Sequence, residues 1–205
     1  MEGAQIVFVT GANTGLGLEI VKALCSSKIT YEIILGGRSI ARAEQAAKDV
    51  LAQIPSTQSR IHPIQIDLEQ DNSIEAAFEE VEKTFGKLDA LVNNAGAQFD
   101  QELPAGTMTM RQVWNQTWNV NTTGTQVVTA TFIPLLLKSE NPRLLFITSG
   151  TSTLAGTADT NHSINRVPPK GWPKTGAYQS SIPAYRSSKT GMNMMMSDGI
   201  TQGMG

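Results

Sequence analysis

The sequence predicts an α/β fold of three layers, α/β/α, built on a doubly wound parallel sheet. Two observations carry that expectation. Short apolar runs alternate with longer amphipathic stretches along most of the 205 residues, which is the pattern of βαβ units with right-handed crossovers. The first apolar run, Ile6-Val7-Phe8-Val9, also passes through a glycine-rich turn straight into Leu18, Ile20, Val21 and Leu24, which recur at helical spacing.

Each element follows in order. Tyr31 to Gly36 reads as the second strand, and Ile40 to Ile54, rich in Ala, Glu and Gln, as a helix stopped by Pro55. Ile61 to Ile66 is the third strand, ending at Asp67. Ile74, Phe78, Val81 and Phe85 mark a helix with Asp71 as its expected N-cap and Gly86 as its end. Leu88 to Val92 is the fourth strand, followed at once by Asn93-Asn94-Ala95-Gly96. A long helical region from about Met108 to Leu137 carries an expected irregularity near Thr122-Thr123-Gly124, and Arg143 to Thr148 is the fifth strand. Residues 150–183 break the rhythm with prolines, Gly171-Trp172-Pro173 and many hydroxyl side chains. That stretch reads as a long loop at the carboxyl edge of the sheet, either a lid or binding segment or a disordered insertion. A single domain spanning 1–205 is expected, with residues 150–183 as an inserted loop and 197–205 as a divergent tail.

Composition narrows the function. Hydrophobic residues make up 40% of the chain, enough for a core, and the net charge is only -2. No run of Lys or Arg offers a nucleic-acid footprint. The apolar segment Phe132 to Leu137 is short and holds Pro134, so no membrane span is expected, and without a signal peptide the chain reads as cytoplasmic. The single cysteine, Cys25, has no partner for an internal disulfide. His62 and His162 have no neighbours at metal-ligand spacing, so no metal site is expected.

Two stretches carry chemistry. In Thr10-Gly11-Ala12-Asn13-Thr14-Gly15-Leu16-Gly17, glycines permit a tight turn and a close helix–strand approach, and the unpaired amides of the new helix suit a phosphate. An ordinary glycine turn that binds nothing is the alternative. Tyr185-Arg186-Ser187-Ser188-Lys189 places a phenol and an ammonium on one helix face, where the cation stabilises the phenolate and suits it to proton transfer. Tyr178 is a rival tyrosine, but four residues on stands Ile182 rather than lysine.

Together with Asp67, Asn93-Asn94-Ala95-Gly96, Asn121 and Ser149, these stretches resemble the classical short-chain dehydrogenase/reductase family, in the family's order from residue 5 to about residue 196. The resemblance implies a Rossmann fold and an NAD(P)-dependent interconversion of carbonyl and alcohol. Tyr185 would be the general acid or base, Lys189 would lower its pKa and bind the nicotinamide ribose, Ser149 would hold the substrate oxygen, and Asn121 would hold the water of a proton relay. Thr10, Gly11, Asn13, Thr14, Gly15, Leu16 and Gly17 would cradle the pyrophosphate, with Asp67 and Leu68 at the adenine and Asn94, Ala95 and Gly96 lining the cleft. Charge argues for the cofactor's identity: about 20 residues beyond the glycine motif an NAD site carries an acid, whereas this chain has Gly37-Arg38-Ser39. Arg38, assisted by Ser39, suits a 2′-phosphate, so NADP(H) is expected over NAD(H). The partners implied are a small carbonyl or alcohol substrate and a second copy of the chain, through the long helix and the Tyr-Lys helix.

The pattern departs from the family in two places. Ser149 and Tyr185 stand 36 residues apart (185 − 149), far beyond the family's usual spacing, so the intervening loop must fold away. The chain also ends where the family continues into further strands, and Ser197 to Gly205, with three glycines, reads as the dissolution of the Tyr-Lys helix. A truncated or alternatively spliced form is expected on that ground, with an open fifth-strand edge. A catalytically silent dinucleotide-binding remnant, or an interaction partner of a full-length homologue, is the alternative function.

Overall fold

The computed structural model describes residues 3–165, 170–171 and 181–202. They fall into two compact units, one formed by residues up to Ala95 with Gly124–Ile147, the other by Gly96–Thr123 with residues from Thr148 onward.

The first unit is the parallel sheet and its helices. β1 (Gln5–Val9), β2 (Tyr31–Gly37), β3 (Arg60–Gln65), β4 (Ala90–Asn93) and β5 (Arg143–Phe146) lie in the order β3-β2-β1-β4-β5, and every pairing is parallel. Side chains of a strand alternate between faces, so β1 serves two cores at once. Ile6 and Phe8 join Ile34, Ile64 and Leu91 against α3 (Asp71–Phe85) and α6 (Thr125–Leu136). Val7 and Val9 join Ile33, Leu35 and Val92 against α1 (Gly15–Cys25) and α2 (Ile40–Gln53). The strands are buried on both faces, which is why they read as unbroken apolar runs. At the centre of the first core Phe132 is fully buried and meets Phe8 and Phe78 edge to face, with ring centroids 5.1 and 5.6 Å apart.

The second unit holds α4 (Glu102–Ala105), α5 (Met110–Trp118), a π-helical turn (Asn119–Gly124, its last residue in the first unit), two short 3₁₀ turns (Ala155–Ala158 and Ser163–Asn165) and α7 (Pro183–Gln202). α5 opens with a capping box in which Thr109 and Gln112 exchange hydrogen bonds. Trp118 Nε1 donates to Ser187 Oγ (3.1 Å) and Thr122 Oγ1 to the Ser188 carbonyl (2.9 Å), which seats α5 and the π turn on α7.

The structure corrects several sequence-based boundaries. The irregularity in the long helical region is a full π turn that starts at Asn119. Asp71 is the first residue of α3 and Gln70 occupies its capping position, whereas Gly86 ends that helix as expected, at φ +72°. β5 stops at Phe146, and Ile147 still donates its N–H to Asn93 but Thr148 and Ser149 leave the ladder. α7 continues through Ser197 and Gly199 to Gln202, because its two interior glycines, Gly191 and Gly199, cost only about 1 kcal/mol each in a long cooperative helix. Among the described residues β5 is an open edge, and beside it Val7, Ile20, Leu24, Val92 and Leu145 line a groove of about 570 Å³. Trp172 and Tyr178 lie outside the described residues.

Removing the Phe132 ring should destabilise the chain by about 3–5 kcal/mol. Denaturant unfolding of Phe132→Ala against the unsubstituted protein measures it.

Candidate active site

In the first unit the glycine turn is shaped by a hydroxyl. Thr10 Oγ1, fully buried at the end of β1, accepts the N–H groups of Asn94 (3.1 Å) and Ala95 (3.0 Å) and donates to the Val92 carbonyl (3.4 Å). Asn94 reaches back, its Nδ2 donating to the carbonyls of Thr10 (2.9 Å) and Gly11 (3.1 Å). Two glycines are required by contact. A Cβ on Gly11, at φ +61°, would lie 2.8 Å from Ala95 Cα, and one on Gly17 would strike the Asn94 amide and sit 2.6 Å from the Gly11 carbonyl oxygen. Ala12 is buried, Asn13 lies half-buried, and Thr14, Gly15 and Leu16 are exposed. Thr14 precedes α1 without a side-chain cap, and the first turn of α1 holds no carboxylate. Nothing lies within 4 Å of a Cβ placed on Gly15. An uncapped, acid-free helix start beside open space fits an anion such as a dinucleotide pyrophosphate.

Arg38, Ser39, Asp67 and Leu68 also belong to this unit. Ser39 caps α2 by accepting the Arg42 N–H at 3.4 Å. Arg38 is largely exposed, and its Nη1 lies 3.9 Å from Glu69 Oε2. The local sequence around Arg38 offers no carboxylate; the fold supplies one from the β3–α3 connection. Asp67 Oδ1 accepts the Glu69 N–H (3.1 Å) and its own N–H donates to Ser73 Oγ (2.9 Å), so Asp67 caps a strand end. Leu68 is buried.

The second unit holds Asn121, Tyr185, Ser188 and Lys189. Asn121, fully buried in the π turn, accepts the Ala97 N–H on Oδ1 (2.8 Å) and donates Nδ2 to the Ala97 carbonyl (2.8 Å) and to Ser188 Oγ (2.9 Å). Ser188 Oγ in turn donates to the Tyr185 carbonyl (2.8 Å). Lys189, buried in α7, lies close to Gly96: a Cβ there would be 3.2 Å from Lys189 Nζ and 3.1 Å from Asn121 Oδ1. Burial pushes the Lys189 ammonium down from 10.5 to about 8, which leaves it mostly charged at neutral pH. Tyr185, one helical turn before it, is half-buried.

Ser149 lies in a turn three residues past β5, its Oγ sharing a hydrogen bond with Thr151 Oγ1 (2.8 Å) and accepting the Thr151 N–H (3.2 Å). The first part of the long loop is tied to α7 by Arg186, which donates Nε to the Thr151 carbonyl (2.9 Å) and Nη2 to Asn165 Oδ1 (2.8 Å). Ser188 and Glu69 were not singled out from the sequence. Ser188 was visible inside the Tyr-Lys motif only as a spacer, and Glu69 becomes relevant through a contact 31 residues distant (69 − 38).

Residues 5–162 match the short chain dehydrogenase family. The chain is 46% identical over 196 residues to the short-chain dehydrogenase/reductase eupG of Phoma sp, an alignment covering 94% of this chain and 69% of that protein. It is 40% identical over 192 residues to the short-chain dehydrogenase/reductase tropE of Talaromyces stipitatus, covering 94% and 70%. Among solved structures, menthone neomenthol reductase from Mentha piperita superposes with a TM-score of 0.77 at 22% identity, over 98% of this chain and 86% of that one. An alcohol dehydrogenase from Thermococcus sibiricus complexed with 5-hydroxy-NADP gives 0.72 at 22%, over 98% and 72%. The chain belongs to the short-chain dehydrogenase/reductase family, a family of oxidoreductases on a nucleotide-binding Rossmann fold. It spans about two thirds of the length of these curated relatives. Among the described residues no helix is long and apolar enough to cross a membrane, and no group of His, Cys, Asp and Glu could hold a metal ion.

The buried ammonium has a measurable linkage. Its pKa is lowered on folding, so its charge destabilises the folded state below pH 8, by about 3 kcal/mol. That cost fades as pH rises from about 8 towards 10.5, where the unfolded chain also loses the proton. The stability advantage of Lys189→Met over the unsubstituted chain should therefore be larger at pH 7 than at pH 10 by denaturant unfolding.

Proposed function

We propose that the protein is an NADP(H)-dependent oxidoreductase that interconverts a small carbonyl compound and its alcohol. The observation that carries this reading is the buried Lys189 ammonium one helical turn behind Tyr185, packed with Asn121 over Gly96. When bound, the dinucleotide supplies or accepts the hydride. Thr10, Gly11, Asn13, Thr14, Gly15, Leu16 and Gly17 would hold its pyrophosphate, Asp67 and Leu68 its adenine, and Asn94, Ala95 and Gly96 its nicotinamide end. Folds similar to this one include structures complexed with 5-hydroxy-NADP and with NADP, which supports a nicotinamide dinucleotide.

The chain's own residues then move the proton. Tyr185 gives its phenolic proton to the substrate oxygen in reduction and takes it back in oxidation. Lys189, charged at neutral pH, stabilises the phenolate left behind. The Ser149 hydroxyl orients the substrate oxygen and donates to the charge that develops on it. Asn121 has both Nδ2 hydrogens committed, so its side chain contributes by holding the Gly96-Ala97 turn, and the second lone pair of Oδ1 is the acceptor it retains for a relay water. Arg38 selects NADP(H) by pairing with the 2′-phosphate, once drawn away from Glu69.

Two experiments test the assignment. Tyr185→Phe should lower NADPH-dependent turnover in a carbonyl screen by about 10²–10⁴-fold while NADPH binding, followed by nicotinamide fluorescence, is unchanged; retained turnover overturns the role of Tyr185. In parallel titrations Arg38→Asp should weaken NADPH binding by at least about tenfold and leave NADH binding equal or tighter. An unchanged preference removes Arg38 as the selector.

A further inference from the structure

The helix that carries Tyr185 and Lys189 begins where its own sequence gives little support. α7 opens Pro183-Ala184-Tyr185, and the proline has no N–H, so the donors of the first turn that lack a partner within the helix are those of Ala184 and Tyr185. The Arg186 N–H already reaches the Ile182 carbonyl, at 3.0 Å. Ile182 occupies the capping position with an aliphatic side chain that cannot accept a hydrogen bond. It also stands at φ +40°, a region that β-branched residues avoid.

The missing cap comes from far along the chain. Asp100 is buried, 5% exposed, and among the described residues it enters no ion pair. Its Oδ1 accepts the Ala184 N–H at 2.9 Å and its Oδ2 accepts the Tyr185 N–H at 3.1 Å. A buried carboxylate is costly unless it is hydrogen-bonded. Here both oxygens are satisfied by orphan donors at the positive end of a helix.

The same hydrogen bonds close a circuit. Asn121 grips both polar groups of Ala97, three residues before Asp100; Asp100 grips the Tyr185 N–H; Ser188 Oγ joins the Tyr185 carbonyl to Asn121 Nδ2. Trp118 and Arg186 hold the side of that turn, but its first two N–H groups are held by Asp100, and the rotation and advance of the turn determine where the phenol of Tyr185 sits.

We propose that Asp100 is a positioning residue for Tyr185: through its two backbone hydrogen bonds it holds the first turn of α7 in the register that proton transfer requires. The inference rests on the reading of Tyr185 as the proton donor. Displacing a reacting group by about 1 Å costs on the order of a hundredfold in rate, so the effect falls on kcat rather than on cofactor binding.

The test uses the full chain with Asp100→Ala, the isosteric Asp100→Asn and the double variant Asp100→Ala/Ile182→Asp, which moves a carboxylate to the local capping position. Turnover and NADPH affinity are read beside amide hydrogen exchange at Ala184 and Tyr185. The expected result for Asp100→Ala is a loss of kcat of about a hundredfold with unchanged NADPH affinity and faster exchange at those two amides. Asp100→Asn, which keeps one acceptor, should lose less and folds where the alanine variant does not. The double variant should recover part of both kcat and protection. Unchanged exchange in Asp100→Asn, or faster exchange with unchanged kcat, overturns the proposal. Were the unsubstituted protein and Tyr185→Phe to turn over equally, the reading of Tyr185 would fail and the positioning role with it; protection at the two amides would then report a cap alone.

Discussion

The hydroxyl of Thr10 is the interaction on which the first unit's glycine turn depends. A hydroxyl offers one donor and two acceptor positions, and this one, fully buried, uses all three to join the end of β1 to Val92, Asn94 and Ala95. Val92 lies in β4 and Asn94 and Ala95 follow it directly, so two neighbouring strands leave the sheet as one piece. Asn94 completes the join through the carbonyls of Thr10 and Gly11. With the turn fixed from beneath, the start of α1 stands without a side-chain cap of its own. A buried hydroxyl without partners would cost roughly 1–3 kcal/mol, so the same three bonds that shape the turn also make the burial tolerable.

The second unit handles polarity differently. It buries a carboxylate, an ammonium and an amide. Asp100 is matched by two backbone donors, whereas Lys189 is desolvated enough to bring its pKa to about 8. A lysine in that condition still carries its charge at neutral pH and gains more from a neighbouring phenolate than a solvated lysine would, because the local dielectric is low.

Much of this was legible in the chain. The alternation of apolar runs and amphipathic stretches reports burial directly, and burial on both faces of a parallel strand is a matter of composition. Boundaries were less legible because burial and pairing are different properties. Leu88 is fully buried, yet its N–H goes to the Leu135 carbonyl rather than into the β4 ladder. Thr148 and Ser149 follow an apolar run but turn away from it: the Ser149 hydroxyl accepts the nearby Thr151 N–H, in competition with a ladder, and the Thr148 hydroxyl bonds the Ser152 and Asn193 side chains. Glu69 beside Arg38, and Asp100 beneath Tyr185, were invisible for a simpler reason: their contacts span 31 and 85 residues (69 − 38 and 185 − 100).

The sequence by itself determined which chemistry is present: a glycine turn between strand and helix, a phenol and an ammonium one helical turn apart, and an amide and hydroxyls to accompany them. Those features depend on local geometry, on φ angles that glycine permits and on the helical period, and local geometry is written in neighbouring residues. Only the tertiary structure decided what holds that chemistry in place. The cap of the Tyr-Lys helix, the lowered pKa of Lys189 and the bonds that occupy Asn121 all arise from groups distant in the chain and close in the fold, where desolvation makes each unpaired donor or charge expensive enough to dictate its partner.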